Sequence, residues 1–271
     1  MKTRLISAGI GIVVCVALML VGEQHTIVLN IALALVTGIL CCELLTAKGL
    51  HKNLKISAPC VAFGVLLPLL CTTVAKYIPL YLFAVILFAI MVFFHDSVKV
   101  DDVMFAFGGT LLITLSMTSL ALVSCSGNGF SSFWIVLTLG VPWLADSGAY
   151  FAGVYLGKHK LCPTISPKKT VEGAVGGLLS GTIGALLIGL VFLLIYSDAH
   201  IVFWPLIIVG LINPIISIIG DLTFSLIKRS CGIKDFGTIM PGHGGLLDRF
   251  DSIILCAPLV FIISQLTTVI Y

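Results

Sequence analysis

Charge is scarce in this sequence. Of 271 residues, 15 are Lys or Arg and 12 are Asp or Glu, so charged residues make up 10% against 59% hydrophobic. With a mean hydropathy of +1.19, that composition excludes an ordinary soluble domain. Alternating apolar and polar segments of about 10 residues are absent, which excludes a transmembrane β-barrel, the one other way to satisfy backbone groups in lipid. The nine cysteines, at 15, 41, 42, 60, 71, 125, 162, 231 and 256, form no CxxC pair and no Cys-His cluster. A zinc site and a disulfide framework are therefore disfavoured, and burial among apolar neighbours is the default reading. HExxH, GxSxG and GxGxxG are all missing, so zinc proteolysis, acyl-serine chemistry and a Rossmann site lose support. The stretch "GVYLGKH" imitates a phosphate loop, but it has three residues between its glycines and places His159 where Ser or Thr would bind magnesium.

What the chain has in abundance is apolar runs of about 20 residues, the length that crosses a bilayer core. They fall at roughly 5–22, 26–47, 56–75, 78–94, 103–124, 133–153, 173–196, 201–227 and 253–270, with ends placed to about 2–4 residues. The expected fold is all-α: a polytopic integral membrane protein of about nine transmembrane helices. Without an internal repeat or linker, residues 1–271 read as a single membrane domain, with 1–130 as scaffold helices and 131–271 as the catalytic half. The first span follows "MKTR" with no small-residue cleavage site and reads as retained. Alternate loops divide the basic residues unevenly. One set holds Lys2, Arg4, Lys48, Lys52, Lys55, Lys99, Lys158, Lys160, Lys168, Lys169, Lys228, Arg229, Lys234 and Arg249, while the other holds Lys76. Basic loops stay on the cytoplasmic side, so the N-terminus is expected inside and the C-terminus outside. The net charge of +3 then reflects topology and gives no sign of a nucleic-acid partner.

Ionisable residues inside spans are costly and usually face a cavity or a partner. Glu43, Asp146 and Asp221 qualify, each toward the cytoplasmic end of its span, so all three are candidates for one inward-facing pocket. In "GKHKLCPTISPKKTVEG", Thr170 stands where it can cap a glycine-rich helix, and the helix start beside Lys168 and Lys169 would favour a phosphate. A topology determinant or an anionic-lipid contact explains those bases equally. Gly173, Gly177 and Gly181 at four-residue spacing predict close helix packing. In "GDLTFSLIKRSCGIKDFG", Asp221, Ser225, Lys228 and Arg229 fall at i, i+4, i+7 and i+8, one helical face. In "IMPGHGGLLDRFDS", Pro241, Gly242, Gly244 and Gly245 forbid regular helix around His243. Asp248 and Asp251 follow three residues apart. Paired carboxylates beside glycines and bases suit a hard divalent cation carrying phosphate oxygens, and a capped entry into the last span is the plainer alternative.

The run "SLIKRSCGIKDFGTIMPGHGGLLDRFDS", 225–252, resembles the signature of the phosphatidate cytidylyltransferases, also called CDP-diacylglycerol synthases. "DSGAYFAGVYLGKHKLCPTISPKKTVEG", 146–173, is similar to that family's other common block, and the two cover about a fifth of the chain. The resemblance implies a cytidylyl transfer from CTP to phosphatidate, giving CDP-diacylglycerol and pyrophosphate for phospholipid synthesis. It implies magnesium, leaving open a second metal or a monovalent cation, and a cytoplasm-facing site in a bacterial inner membrane. Catalytic roles would fall to Asp146, Asp221, Lys228, Arg229, Asp248 and Asp251, with metal on Asp221, Asp248 and Asp251. Substrate binding would involve Ser166, Lys168, Lys169, Ser225, Lys234, Asp235, His243, Gly244, Gly245 and Arg249. CTP, phosphatidate and the bilayer are the implied partners; the oligomeric state stays open, a homodimer being one arrangement. The chain departs from the family pattern at Phe224, usually acidic, at Ser147, commonly threonine, and at Val171, often aromatic. A secondary transporter is the competing class, but the acids sit near one surface and no paired repeat is seen.

Overall fold

The computed structural model of the chain describes Gly9, Gly22 and residues 25–70, 73–126, 130–196, 200–240, 244–267 and 269–271. Apart from Gly9 and Gly22, the span expected at 5–22, with Lys2 and Arg4 before it, lies outside the described residues. The chain divides into two compact units, one made of Met1–Cys125 and Lys228–Phe250, the other of Ser126–Ile227 and Asp251–Tyr271.

The first unit holds helices α1 (Thr26–Ala47), α2 (Leu54–Leu69), α3 (Thr73–Phe93) and α4 (Val100–Ser126), with a short 3-10 turn over Leu50–Lys52. Asn53 caps α2 by accepting from the Lys55 amide at 3.3 Å. The helix stops at Leu69 because Leu70 turns extended, short of the end near 75 that hydropathy suggested. Its core gathers Leu45, Cys60, Phe63, Leu67, Phe83, Leu87 and Val103. Phe63 and Phe83 stack with ring centroids 4.2 Å apart, an aromatic contact worth more than its area alone.

The second unit contains α5 (Ser131–Leu156), a two-stranded antiparallel hairpin of β1 (Lys160–Cys162) and β2 (Ser166–Thr170), α6 (Val171–Ile195), α7 (Phe203–Ser230) and α8 (Leu247–Leu266). The last residues of α7 and the first of α8 belong to the first unit. Gly173, Gly177 and Gly181 are buried on α6. A Cβ at Gly177 would come within 3.1 Å of the Ala145 carbonyl and 3.2 Å of the Ala149 Cβ on α5. The glycine face thus lets two helix backbones touch, the packing that small residues permit when lipid supplies no hydrophobic drive.

Six of these helices are long and apolar enough to cross a membrane, namely α1, residues 76–93 of α3, and α4 to α7. With α2 and α8 added, eight described helices fall on eight of the expected spans. The all-α membrane fold therefore holds. The hairpin between α5 and α6 is an addition, since 154–172 reads in sequence only as a long polar loop.

Candidate active site

In the second unit the polar residues gather where α5, the hairpin and α7 meet. Thr170 ends β2 and caps α6, its Oγ1 accepting from the Gly173 amide at 3.1 Å. Two residues later Glu172 accepts from the Lys158 amide at 3.1 Å and the His159 amide at 3.2 Å, and its Oε1 lies 2.6 Å from His159 Nδ1. The cap and this tether fix both ends of the hairpin against the helix start. Lys169, on the strand between them, reaches Asp221 of α7, with its Nζ 2.6 Å from Oδ2. The pair is half-open, 23% exposed on the lysine and 35% on the aspartate. Ser225, one turn along α7, donates to Asp221 Oδ1 at 3.4 Å, as the i, i+4 spacing predicts.

Asp146 of α5 joins this group. It interacts electrostatically with Lys169 and Asp221, accepts from Ser217 of α7 at 3.4 Å and also bonds Ser252. Two carboxylates thus lie within electrostatic range of one ammonium, which is ion-paired to Asp221. Asp251 is buried, with Oδ1 accepting from the Ser252 amide at 2.8 Å. Its neighbourhood is tight, because a Cβ at Gly220 would meet the Asp251 carbonyl at 2.7 Å. Ser166 is half-buried on β2 and Lys168 is exposed.

In the first unit the segment after α7 is tied to the start of α8. Helix α7 stops at a left-handed glycine, Gly232, with φ +69°. The Ile233 amide donates to the Lys228 carbonyl at 3.0 Å and the Gly232 amide to the Arg229 carbonyl at 3.1 Å. That bond pair is a Schellman stop, which satisfies carbonyls the helix end leaves free. Lys228 then sends its Nζ to Asp248 Oδ1, 2.8 Å away, with the two side chains 13% and 4% exposed. The Phe236 ring lies 5.4 Å from the same ammonium, a cation-π contact. Asp248 Oδ2 accepts from the Phe236 amide at 2.8 Å and the Gly245 amide at 3.0 Å. Glu43, buried on α1, accepts from the Leu246 amide at 3.0 Å and the Leu247 amide at 2.6 Å. Gly244 adopts φ +90°, and a Cβ there would lie 3.1 Å from Asp248 Oδ2, so glycine is required on both counts.

Arg229, Lys234, Asp235 and Arg249 are exposed around this segment, while His243 lies outside the described residues. Asp146 and Asp221 lie within electrostatic range of each other in the second unit, and the Glu43 carboxylate is occupied by two amides in the first unit. Ser217, Ser252 and Phe236 take part in these groupings without a signal in the sequence, since each matters through a partner distant along the chain. Phe224, at the usually acidic position, is 1% exposed and packs as an apolar core residue.

Among the described residues no three His, Cys, Asp or Glu side chains form a metal-binding group. Magnesium seldom requires one, because it is commonly held by one or two carboxylates together with substrate phosphates and water. Asp146 and Asp221, two carboxyl groups with the Ser217 and Ser225 hydroxyls bonded to them, fit that oxygen-donor chemistry. Asp248 Oδ1 has accepted a single bond from Lys228 and keeps a lone pair for a cation.

Over 130 residues, 48% of each chain, the sequence is 47% identical to a protein of Staphylococcus saprophyticus subsp. saprophyticus named phosphatidate cytidylyltransferase. Over the same length and share of each chain it is 45% identical to proteins of that name from Staphylococcus haemolyticus and Staphylococcus aureus. The chain thus spans about half the length of the curated relatives it matches. The model of the family described as "Cytidylyltransferase family" matches residues 2–267. With nearly its whole length accounted for by that match, the chain belongs to the cytidylyltransferase family.

Proposed function

We propose that this protein transfers the cytidylyl group of CTP to phosphatidate, giving CDP-diacylglycerol and pyrophosphate. The observation that carries the reading is the half-open Lys169–Asp221 pair with Asp146 beside it; Asp146 and Lys169 belong to one of the sequence blocks that resemble this activity, and Ser225, which bonds Asp221, belongs to the other. The nucleophile, a phosphate oxygen of the lipid, is already ionised, so no strong general base is needed. It attacks the α-phosphorus of CTP; the bond from that phosphorus to the bridging oxygen breaks, and pyrophosphate leaves. The barrier is the approach of two anions and the charge on the leaving group, both eased by fixed cations. Lys168, Lys169, Lys228 and Arg229 supply those cations, with Lys234 and Arg249 as further phosphate contacts. Ser166, Ser225, Asp235, Gly244, Gly245 and His243 bind the substrates, the glycines through backbone close to the nucleotide.

Asp221, Asp248 and Asp251 are the magnesium ligands in this reading, and Asp146 is a further catalytic acid. Bound there, magnesium would neutralise phosphate charge and orient the triphosphate. Residues 131–271 carry the chemistry and 1–130 the scaffold of one membrane domain. The basic-loop asymmetry supports nine spans, a cytoplasmic N-terminus and a site facing the cytoplasm, where CTP is available. A bacterial inner membrane is the corresponding location, and a homodimer the oligomer to test for. The test supplies purified protein in detergent with CTP labelled at the α-phosphate, magnesium and phosphatidate. Labelled CDP-diacylglycerol with stoichiometric pyrophosphate is expected. Label entering some other lipid phosphate but not phosphatidate would replace the substrate, and no labelled lipid from any acceptor would overturn the reading.

A further inference from the structure

Glu43 is an acid buried to 5% exposure on a helix long and apolar enough to span the membrane. A carboxylate there is costly unless fully engaged. Its two oxygens accept from the Leu246 amide at 3.0 Å and the Leu247 amide at 2.6 Å, more than 200 residues away in sequence. Those amides open α8, where backbone N–H groups lack helical partners and the helix dipole favours an anion. The segment is shaped to receive this side chain. A Cβ on Gly237 would overlap Glu43 Oε1, and one on Gly245 would stand 2.8 Å from Oε2.

The same short segment carries Asp248, whose Oδ2 takes the Phe236 and Gly245 amides. Four amides, of Phe236, Gly245, Leu246 and Leu247, are thus shared between two carboxylates, Glu43 on one side and Asp248 on the other. Glu43 holds Leu246 and Leu247, the residues that lead directly into Asp248, and Gly245 lies against both acids. Moving the Glu43 carboxylate therefore moves the backbone that sets the Asp248 carboxylate and, through it, the Lys228 ammonium.

We infer that Glu43 is a positioning residue for Asp248, fixing its carboxylate in the orientation that receives a divalent cation. The inference rests on the proposed role of Asp248 in magnesium binding. Outer groups that orient a ligand typically govern metal affinity or activity by 10- to 100-fold. An acid whose only task was to cap α8 would affect stability and leave cation affinity alone.

The experiment compares wild type with Glu43→Gln, which keeps the shape and one acceptor but loses the charge. Three quantities are measured in detergent: Mn2+ affinity by electron paramagnetic resonance in the presence of CTP, the magnesium concentration for half-maximal turnover, and the thermal midpoint. Glu43→Gln should weaken Mn2+ binding and raise the magnesium requirement, each by about tenfold. Gly237→Ala, which displaces the Glu43 carboxylate without touching Asp248, should shift both the same way, and it carries the test if Glu43→Gln does not fold. Cation affinity and magnesium requirement within about twofold of wild type in a folded variant, at any thermal midpoint, overturn the inference. Inactive wild-type protein would instead count against the proposed reaction, leaving the Mn2+ comparison to decide the role of Glu43.

Discussion

Two lysine–aspartate pairs, one in each unit, look alike in a list of contacts and differ in what surrounds them. Lys169–Asp221 is half-open, and its acid has a single weak hydroxyl donor besides the lysine. Lys228–Asp248 is closed, with the acid 4% exposed and bound by the lysine and two amides. An open pair costs little to rearrange, so an incoming phosphate or cation can displace one partner for the other. A closed pair keeps the partners it has, and a cation can join it only at the lone pair that Asp248 Oδ1 has left. The same chemistry thus gives an exchangeable surface in one place and, in the other, a carboxylate held in one orientation to present its remaining lone pair to a cation.

The comparison yields tests of decreasing size. Asp221→Asn should lower turnover by about 10²- to 10³-fold, the loss typical of removing a preorganised electrostatic group. Its thermal midpoint should barely change, since exposed pairs contribute about 0–1 kcal/mol; a strong destabilisation would erase the distinction between the pairs. Asp248→Asn should do the opposite in emphasis. The new amide nitrogen must face either the Lys228 ammonium or backbone donors, and breaking a buried pair costs about 3–5 kcal/mol. Chemical or thermal unfolding in detergent reads this, and stability equal to wild type would show that the pair is not closed in solution. Lys169→Met should raise the KM for CTP by about tenfold or more through loss of a charged hydrogen bond, with folding intact. Thr170→Ala should cost about 1 kcal/mol through the lost cap, and unchanged stability would mean that the hairpin holds the start of α6 without it.

Much of the fold is written in hydropathy. The run 26–47 is the helix Thr26–Ala47, because membrane helices need only length and apolarity. The end of α2 is less legible, since its apolar run continues past Leu70, where the backbone turns extended. The hairpin is illegible for a different reason. Its strands are short and rich in Lys and Pro, and its register depends on Glu172 holding the Lys158 and His159 amides. The candidate site divides the same way. Asp221 with Ser225, and Thr170 with its capped amide, are local and follow from spacing. Lys169 meeting Asp221, Ser217 meeting Asp146, and Glu43 meeting α8 join residues far apart in sequence, and no periodicity announces them.

The Schellman stop at Gly232 has a consequence for how this chain can change length. From that glycine to the first turn of α8, the chain is pinned by the Phe236, Gly245, Leu246 and Leu247 amides and by the Lys228–Asp248 contact. The backbone at 232–236 and at 245–248 is therefore fixed, and a one-residue insertion or deletion in either stretch would put an amide where a side chain must pass. The hairpin tip at Pro163 and Thr164 is exposed and can absorb length change without cost. A library of single-codon insertions and deletions selected for growth would accordingly accumulate changes at the tip and leave residues 232–236 and 245–248 blank.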